Sequence, residues 1–383
     1  MQGFAQVEYD IRLARAQALM TQAGLAGLLL TTEPEIRYFT GFLTRFWESP
    51  SRPWFLIVPA EGAPVAVIPA IGAPLMARAG LRDIRTWNAP DPQEDGTGIL
   101  SEALRECIGV DGDIGVPMGP ETHLRMPLDS WHRLKSLTSL RFGPDYGLMQ
   151  QLRRIKSEAE IAKISKACQI AGKAFDAVPR MVRPGLGLDE VFRRFQMLCL
   201  DAGADWVPYL AGASAPEGYV DVISPATATP VQTGDVLMLD TGLVHDGYFC
   251  DFDRNFSIGP ASAAVQGAHH RLVDAVDAAA EIARPGATAA DLFCAMERIV
   301  GTQERPTTGR MGHEVGLQLT EGLSLIPQDH TVLEPGMVLT LEPVTEVTPG
   351  RILVHEENIV IRDTGADFLS RKAARDIPEI GAL

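Results

Sequence analysis

Cysteine is scarce and scattered. The five residues (Cys107, Cys168, Cys199, Cys250, Cys294) are odd in number and show no CxxC spacing, which fits reduced thiols better than a disulfide framework. No apolar run reaches membrane-spanning length, the stretch from Gly24 to Leu30 being far too short. The opening residues, Met1 to Arg12, lack a basic segment followed by an apolar one. Positive charge is in deficit, with 34 Lys and Arg against 49 Asp and Glu and a net charge of −15, which argues against nucleic acid and anionic membrane as partners. That balance describes a solvated acidic surface and names no substrate. These absences give the expectation of a cytoplasmic protein.

What is present is an ordinary globular composition, 46% hydrophobic and 22% charged. A length of 383 residues is enough for two or more domains, each with its own core. Tyr9 to Ala23 has helical spacing with Gly24 as a stop, and Leu25 to Leu30 reads as a buried strand. Trp54 to Pro59 and Pro64 to Pro69 follow as strands, then a helical piece from Ile71 to Ala79 and a strand at Ile114-Gly-Val. This βαβ-like rhythm predicts an α/β domain over the first third of the chain. The stretch from Tyr38 to Trp54 carries several aromatics, Arg45 and Arg52. It reads either as a loop capped onto its own domain or as a rigid surface for a substrate or a partner subunit.

The boundary is expected between Asp145 and Lys156, with one long amphipathic helix from Met149 to Val178 opening the second domain. An internal echo follows: Arg183-Pro-Gly and Arg284-Pro-Gly each close one helix and start another, with an acid in the new first turn. The repeat predicts a duplicated half-domain on either side of the most chemically suggestive stretch in the chain.

That stretch is Val236 to Arg254. An apolar run, a turn signal at His245-Asp246-Gly247 and an alternating segment from Tyr248 to Ile258 predict a hairpin. Asp240 and Asp251 lie on opposite arms at nearly equal distances from the turn, and Asp253 shares the parity of Asp251. Unpaired carboxylates in apolar strands are costly, so a cation is their natural partner. Further on, His313 stands between glycines, Glu342 ends an apolar strand and Glu356 lies within another. Four carboxylates and one imidazole suit two hard or borderline cations such as Mn²⁺, Co²⁺ or Zn²⁺ sharing a bridging water.

With these residues in hand, the chain resembles the pita-bread metallopeptidase and creatinase superfamily, which includes methionine aminopeptidase, prolidase, aminopeptidase P and creatinase. The resemblance rests on Asp240-Thr-Gly, Gly247-Tyr and Asp251-Phe-Asp-Arg254, on the opening segment Leu152-Arg-Arg-Ile-Lys-Ser-Glu-Ala-Glu160, and on His313, Glu342-Pro343 and Glu356. It implies an α+β protein, with an N-terminal α/β creatinase-type domain (1–148) and a C-terminal pita-bread domain (149–383). It also implies two divalent ions, manganese first among the candidates, bridged by Asp251 and Glu356 and completed by Asp240, His313 and Glu342. Glu342 would also shuttle a proton. Relatives with this N-terminal domain generally form dimers, which implies a homodimer in which the loop from Phe42 to Trp54, with Trp47 and Arg52, narrows the substrate entrance from the opposite subunit.

The pattern departs from the peptidases at two points. They carry a histidine ahead of the hairpin, where this chain has Tyr219 to Thr227 with none, and a second one where this chain has Thr320 followed by Glu321. The first of these is also the acid/base position of creatinase. Asp253 stands where peptidases usually have a hydroxyl, and is open to reading as a hydrogen-bond acceptor, an extra ligand or a group for a cationic substrate. Asp253, Thr320 and Glu321 would shape the substrate pocket. His245 reads as an exposed turn residue and His355 as a strand residue facing away from Glu356. The resulting expectation is a metal-dependent hydrolase of X-Pro peptidase type acting on a small dipeptide or related amide. Two alternatives stand beside it: a creatinase-like non-peptide hydrolase or lyase, and a non-catalytic binding protein that retains metal.

Overall fold

The computed structural model describes residues 3–48, 52–301 and 309–381. The chain divides into two compact units between Arg153 and Arg154. The first unit contains helices α1 (Gln6–Ala23), α2 (Glu33–Thr40), α3 (Ala73–Arg78), α4 (Thr97–Cys107), α5 (Leu128–Leu137) and α6 (Leu148–Arg154). Its strands β1 (Gly27–Leu30), β2 (Phe55–Pro59), β3 (Val65–Pro69), β4 (Asp83–Trp87), β5 (Asp113–Val116) and β6 (Arg141–Pro144) form one sheet in the order β4-β3-β2-β1-β5-β6. The sheet is mixed: β1, β2 and β3 pair antiparallel, while β4, β5 and β6 join it in parallel. The link from 60 to 64 is too short for a parallel crossover, so β3 can only fold back on β2.

The aromatic stretch packs onto its own unit. Tyr38 belongs to α2 rather than to a loop, Phe42 and Trp54 are buried, and Trp47 meets both at ring-centroid distances of 6.3 and 5.4 Å. Arg125 donates to the carbonyls of Arg52 and Trp47 at 2.7 and 3.3 Å, while the Arg52 guanidinium lies 5.7 Å from the Phe46 ring centroid. Residues 49–51 of this stretch lie outside the described residues.

The single helix predicted from Met149 to Val178 is two. After α6 the chain breaks, and α7 (Glu158–Met181) starts at a reciprocal cap. The Ser157 hydroxyl accepts from Glu160 N at 3.3 Å, and the Glu160 carboxylate accepts from Ser157 N at 2.9 Å. Apolar spacing runs on through the break, whereas the Ser-x-x-Glu signature marks it. The other Glu160 oxygen accepts from the Tyr248 hydroxyl at 2.8 Å, which ties α7 to the hairpin.

The second unit continues with α8 (Leu188–Asp201), β7 (Trp206–Pro216), β8 (Asp235–His245), β9 (Tyr248–Phe249), β10 (Phe252–Ile258), α9 (Ala263–Ile282) and α10 (Ala289–Val300). It ends with β11 (His313–Glu314), β12 (Glu321–Ser324), β13 (Val338–Leu341), β14 (Val344–Thr348), β15 (Arg351–Val354), β16 (Glu357–Arg362), β17 (Gly365–Phe368) and β18 (Glu379–Ile380). Two sheets carry the unit, one ordered β18-β10-β8-β7 with β9 on β8, the other β12-β11-β13-β16-β17.

The duplicated halves are visible in the hydrogen bonds. Gly185 N donates to Val231 O and Leu188 N to Thr229 O; one repeat later Gly286 N donates to Leu333 O and Ala289 N to Thr331 O. Each Arg-Pro-Gly turn thus docks its helix start on the segment that leads into a strand, β8 in one half and β13 in the other. The helices α9 and α10 bury Leu272, Val276, Leu292 and Phe293 against Met238, Leu339 and Leu341 of those strands in one apolar cluster. Among the described residues no helix is long and apolar enough to cross a membrane.

Replacing Ser157 by Ala removes the cap of α7 and is expected to cost about 1 kcal/mol. Urea unfolding followed by circular dichroism measures the loss, and an unchanged midpoint would show that the reciprocal cap carries no stability.

Candidate metal centre

The hairpin is built by its turn. Asp246 and Gly247 both take positive φ, 47° and 82°, as a two-residue connection needs to match the twist of its strands. The register then pairs Asp240 with Asp253 and Thr241 with Phe252. Directly opposed residues share a face, so these two carboxylates stand side by side, and Asp251, two residues back from Asp253, has the same parity.

The other half of the unit supplies the rest. His313 starts β11, Glu342 follows β13 and Glu356 precedes β16. Leu341 pairs with Glu357, and one step further the same register opposes Glu342 and Glu356. His313 is held against β13 by its N–H, which donates to Thr340 Oγ1 at 3.1 Å, and Glu342 N donates to Met311 O at 2.9 Å. Between them Gly312, at φ 133°, lies so close that a Cβ would fall 2.2 Å from Thr340 O. Only glycine allows that approach.

These segments converge. His313 Nε2 lies 3.3 Å from Asp251 Oδ2 and 3.9 Å from Glu356 Oε1, and ligand atoms of the three residues lie within 4.8 Å of one another. His313 Nδ1 stands 2.9 Å from the Glu314 carbonyl. A carbonyl only accepts, so Nδ1 carries a proton, and Nε2 is the ring atom turned toward the carboxylates, where a cation could lie between them. Asp240 Oδ1, Asp251 Oδ1 and Glu356 Oε1 are buried with no hydrogen-bond partner, an arrangement that costs several kcal/mol for each ion unless a counter-charge is supplied.

The proton affinities respond in the same direction. Burial drives Asp240 and Glu356 well above the ordinary carboxylate range, and the neighbouring carboxylates, Asp251 first, push them further. Burial also lifts Glu342 to about 7, with His313 and Arg310 pulling down and Asp251 pushing up. A cluster of oxygens with one imidazole, electron-rich and starved of positive charge, fits a hard or borderline divalent ion.

A supporting layer orients these groups, and the sequence signalled little of it. Asn358 Oδ1 accepts from Asp251 N at 3.0 Å and its Nδ2 donates to Asp251 O at 2.6 Å, clamping one ligand segment to another. The Tyr209 hydroxyl donates to Asp240 Oδ2 at 3.1 Å, and burial together with Asp240 pushes this phenol upward. A lone tyrosine or asparagine has no spacing signature, so neither stands out before the strands are paired. Asp253 Oδ1 accepts from Glu356 N at 2.9 Å and from His355 Nδ1 at 3.1 Å, and His355 Nε2 lies 3.4 Å from Glu357. Burial works against the His355 imidazolium, but the two carboxylates outweigh it and lift the ring to about 9. Glu357 also pairs with Arg254 at 3.1 Å, so it faces the support while Glu356 faces His313 and Asp251.

The remaining residues singled out by sequence lie as follows. Thr320 Oγ1 accepts from Arg310 Nη2 at 3.2 Å. Glu321 is buried and meets Lys156 Nζ at 3.2 Å. Trp47 and Arg52 belong to the aromatic stretch of the first unit. Tyr219 is buried, bonded to Asn255 and Val354, and beyond it the histidine-free segment runs outward until Ile223 is 80% exposed. His245 is half-buried at the end of β8 rather than exposed, with Nδ1 out of solvent. His355 lies in the link between β15 and β16, not in a strand, because its ring is drawn in between two carboxylates.

Metal uptake here must displace protons. Glu342 holds its proton up to about pH 7 and Asp240 and Glu356 hold theirs at well above ordinary carboxylate values, so affinity is expected to fall as pH drops below 7. Calorimetric Mn²⁺ titrations at pH 8 and pH 6 should differ by at least about tenfold, with proton release at the lower pH. Affinity independent of pH would contradict this electrostatic picture.

Comparison with known proteins agrees with the geometry. Residues 162–363 match the description "Metallopeptidase family M24", and residues 12–154 match "Creatinase/Prolidase N-terminal domain". The "Probable dipeptidase PepE" of Mycobacterium tuberculosis is 29% identical over 363 residues, covering 92% of each chain. The "Xaa-Pro dipeptidase" of Pyrococcus horikoshii is 29% identical over 231 residues, covering 58% of this chain and 64% of that one. The crystal structure of dipeptidase PepE from Mycobacterium ulcerans superimposes with a TM-score of 0.83 at 26% identity, covering 99% of this chain and 100% of that one. A recombinant prolidase from Thermococcus sibiricus shares the fold, with a TM-score of 0.86 at 23% identity and coverage of 98% and 100%. With a match that spans over half of its length, this chain belongs to metallopeptidase family M24.

Proposed function

We propose that this chain is a hydrolase that uses two divalent metal ions, manganese foremost, to cleave the C–N bond of a small X-Pro dipeptide or related amide. The observation that carries the reading is the meeting of Asp251, His313 and Glu356 around unpartnered, buried carboxylate oxygens. Two ions rather than one are supported by charge: Asp240, Asp251, Glu342 and Glu356 bring four negative charges, which two divalent cations neutralise. The dipeptidase names of the relatives support the substrate class.

In this reading Asp240, Asp251, His313, Glu342 and Glu356 would hold the two ions, with Asp251 and Glu356 shared between them. Bound there, the ions would lower the pKa of a shared water and polarise the scissile carbonyl. Glu342 would take the proton of the attacking water and pass it to the leaving nitrogen. Asp253 holds the backbone of Glu356, and Tyr209 fixes the orientation of Asp240. The reading includes a homodimer, in which Trp47 and Arg52 narrow the entrance of the opposite subunit. It also includes a reducing cytoplasm, which the five free cysteines support.

A second reading keeps the metals and changes the reaction to hydrolysis or elimination of a non-peptide substrate. It is favoured by the absence of histidine from Tyr219 to Thr227 and by Thr320, whose hydroxyl meets Arg310. A panel of X-Pro dipeptides assayed with Mn²⁺ separates the two. Cleavage is expected, and a panel left intact while a non-peptide amide turns over would favour the second. Asp251→Asn should lose metal and lose turnover by more than about 100-fold, beyond the effect of removing an outer partner of a ligand. Full metal content in that variant, by elemental analysis, would overturn the ligand assignment.

A further inference from the structure

The buried carboxylates around the cluster differ in what their two oxygens do. Glu357 is saturated. Its Oε2 accepts from Arg254 Nη2 at 3.1 Å and from Ser370 Oγ, and its Oε1 accepts from Ala373 N at 2.7 Å and lies 3.4 Å from His355 Nε2. Such a group is complete within the protein. Asp240 is only half used. Oδ2 holds the Tyr209 hydroxyl at 3.1 Å, while Oδ1 is buried with no hydrogen-bond partner among the described residues. One oxygen tied to the protein and one left over is the form of a carboxylate that binds an ion.

Asp253 has that second form. Oδ1 accepts from Glu356 N at 2.9 Å and from His355 Nδ1 at 3.1 Å, whereas Oδ2 has no hydrogen-bond partner among the described residues, although the residue is 1% exposed. It stands directly opposite Asp240 across the hairpin, and its charge acts on Asp240, Glu342 and Glu356 alike. The neighbouring donors are spent elsewhere. Tyr219 donates to Asn255 Oδ1 at 3.1 Å, Asn358 Nδ2 to Asp251 O at 2.6 Å, and Tyr209 to Asp240. A hydroxyl at this position would give its proton to a neighbour. A carboxylate only accepts, and a buried oxygen of that kind is costly unless positive charge meets it.

We propose that Asp253 is a sixth ligand of the metal centre, binding a divalent ion through Oδ2, and that this extra carboxylate narrows the advantage Zn²⁺ ordinarily holds over Mn²⁺. The inference rests on the two-ion reading above. Carboxylate oxygens in a six-ligand shell suit Mn²⁺, whereas zinc is content with four ligands and favours imidazole or thiolate. Removing one carboxylate therefore takes more from Mn²⁺ than from Zn²⁺.

The test titrates full-length, metal-free wild type, Asp253→Asn and Asp253→Thr with Mn²⁺ and with Zn²⁺ by calorimetry. Both variants are expected to lose Mn²⁺ affinity by more than about 100-fold, beyond the effect of removing an outer partner of a ligand. The loss for Zn²⁺ should be smaller by at least about tenfold. Equal losses for the two ions would mean that Asp253 acts only by holding Glu356, and unchanged affinities that it does nothing for metal; either result overturns the assignment. Crystals of Mn²⁺-loaded wild type give a reading that does not depend on the variants folding. Oδ2 bonded to an ion is the expected result, and Oδ2 met by a water or a protein donor instead would overturn the proposal. Wild type that takes up no metal would sink the hydrolase reading as well, whereas metal bound without Asp253 removes this assignment alone.

Discussion

Four neighbouring carboxylates, Asp240, Asp251 and Glu356 buried and Glu342 half-buried, are the constraint on which the second unit depends. Asp240, Asp251 and Glu356 each keep an oxygen without a partner, and mutual repulsion adds to burial in raising the proton affinity of Asp240, Glu342 and Glu356. A core does not tolerate such a group for its own stability. The surrounding network is built to hold it. Asn358 joins the segments of Asp251 and Glu356 by two hydrogen bonds, and Thr340 and Gly312 let His313 close against β13. Asp253, paired with His355, fixes the backbone of Glu356. The stabilisation these contacts supply goes into keeping apart-pushing charges in place.

The duplication explains how remote residues meet. Val236-Leu-Met-Leu-Asp240 and Val338-Leu-Thr-Leu-Glu342 occupy the same position in the two halves, each on a strand led in by the partner segment of an Arg-Pro-Gly turn. Asp240 lies midway along β8 and Glu342 directly follows β13, and each strand pairs antiparallel with a second strand, β10 with β8 and β16 with β13, at which further acids stand. Packing two such half-units brings carboxylates together from both. The imidazole enters from β11, which pairs with β13. The centre is therefore a property of the interface between repeats, which no local segment could form alone.

Much of this was legible in the chain, and the parts that were not have physical reasons. The hairpin was readable because Asp246-Gly247 demands positive φ at two successive residues and the flanking apolar alternation leaves one pairing. The Arg-Pro-Gly repeat announced the two halves, although the matching apolar runs that lead to Asp240 and Glu342 carry the same message more directly. Apolar spacing ran α6 and α7 together, since a cap at Ser157 breaks the backbone without breaking the amphipathic stripe. Strand direction in the first unit was not legible, because a buried antiparallel strand such as β2 is as uniformly apolar as a parallel one. Tyr209, Asn358 and Arg310 gain meaning only from what they touch, and periodicity says nothing about contacts across a hundred residues.

The most direct test is anomalous diffraction at the manganese edge from crystals of the Mn²⁺-loaded protein. Two peaks are predicted, both within reach of Asp251 and Glu356, among Asp240, His313 and Glu342. A structure with manganese elsewhere, or with His313 bonded directly to Asp251 and no ion between them, would contradict the account.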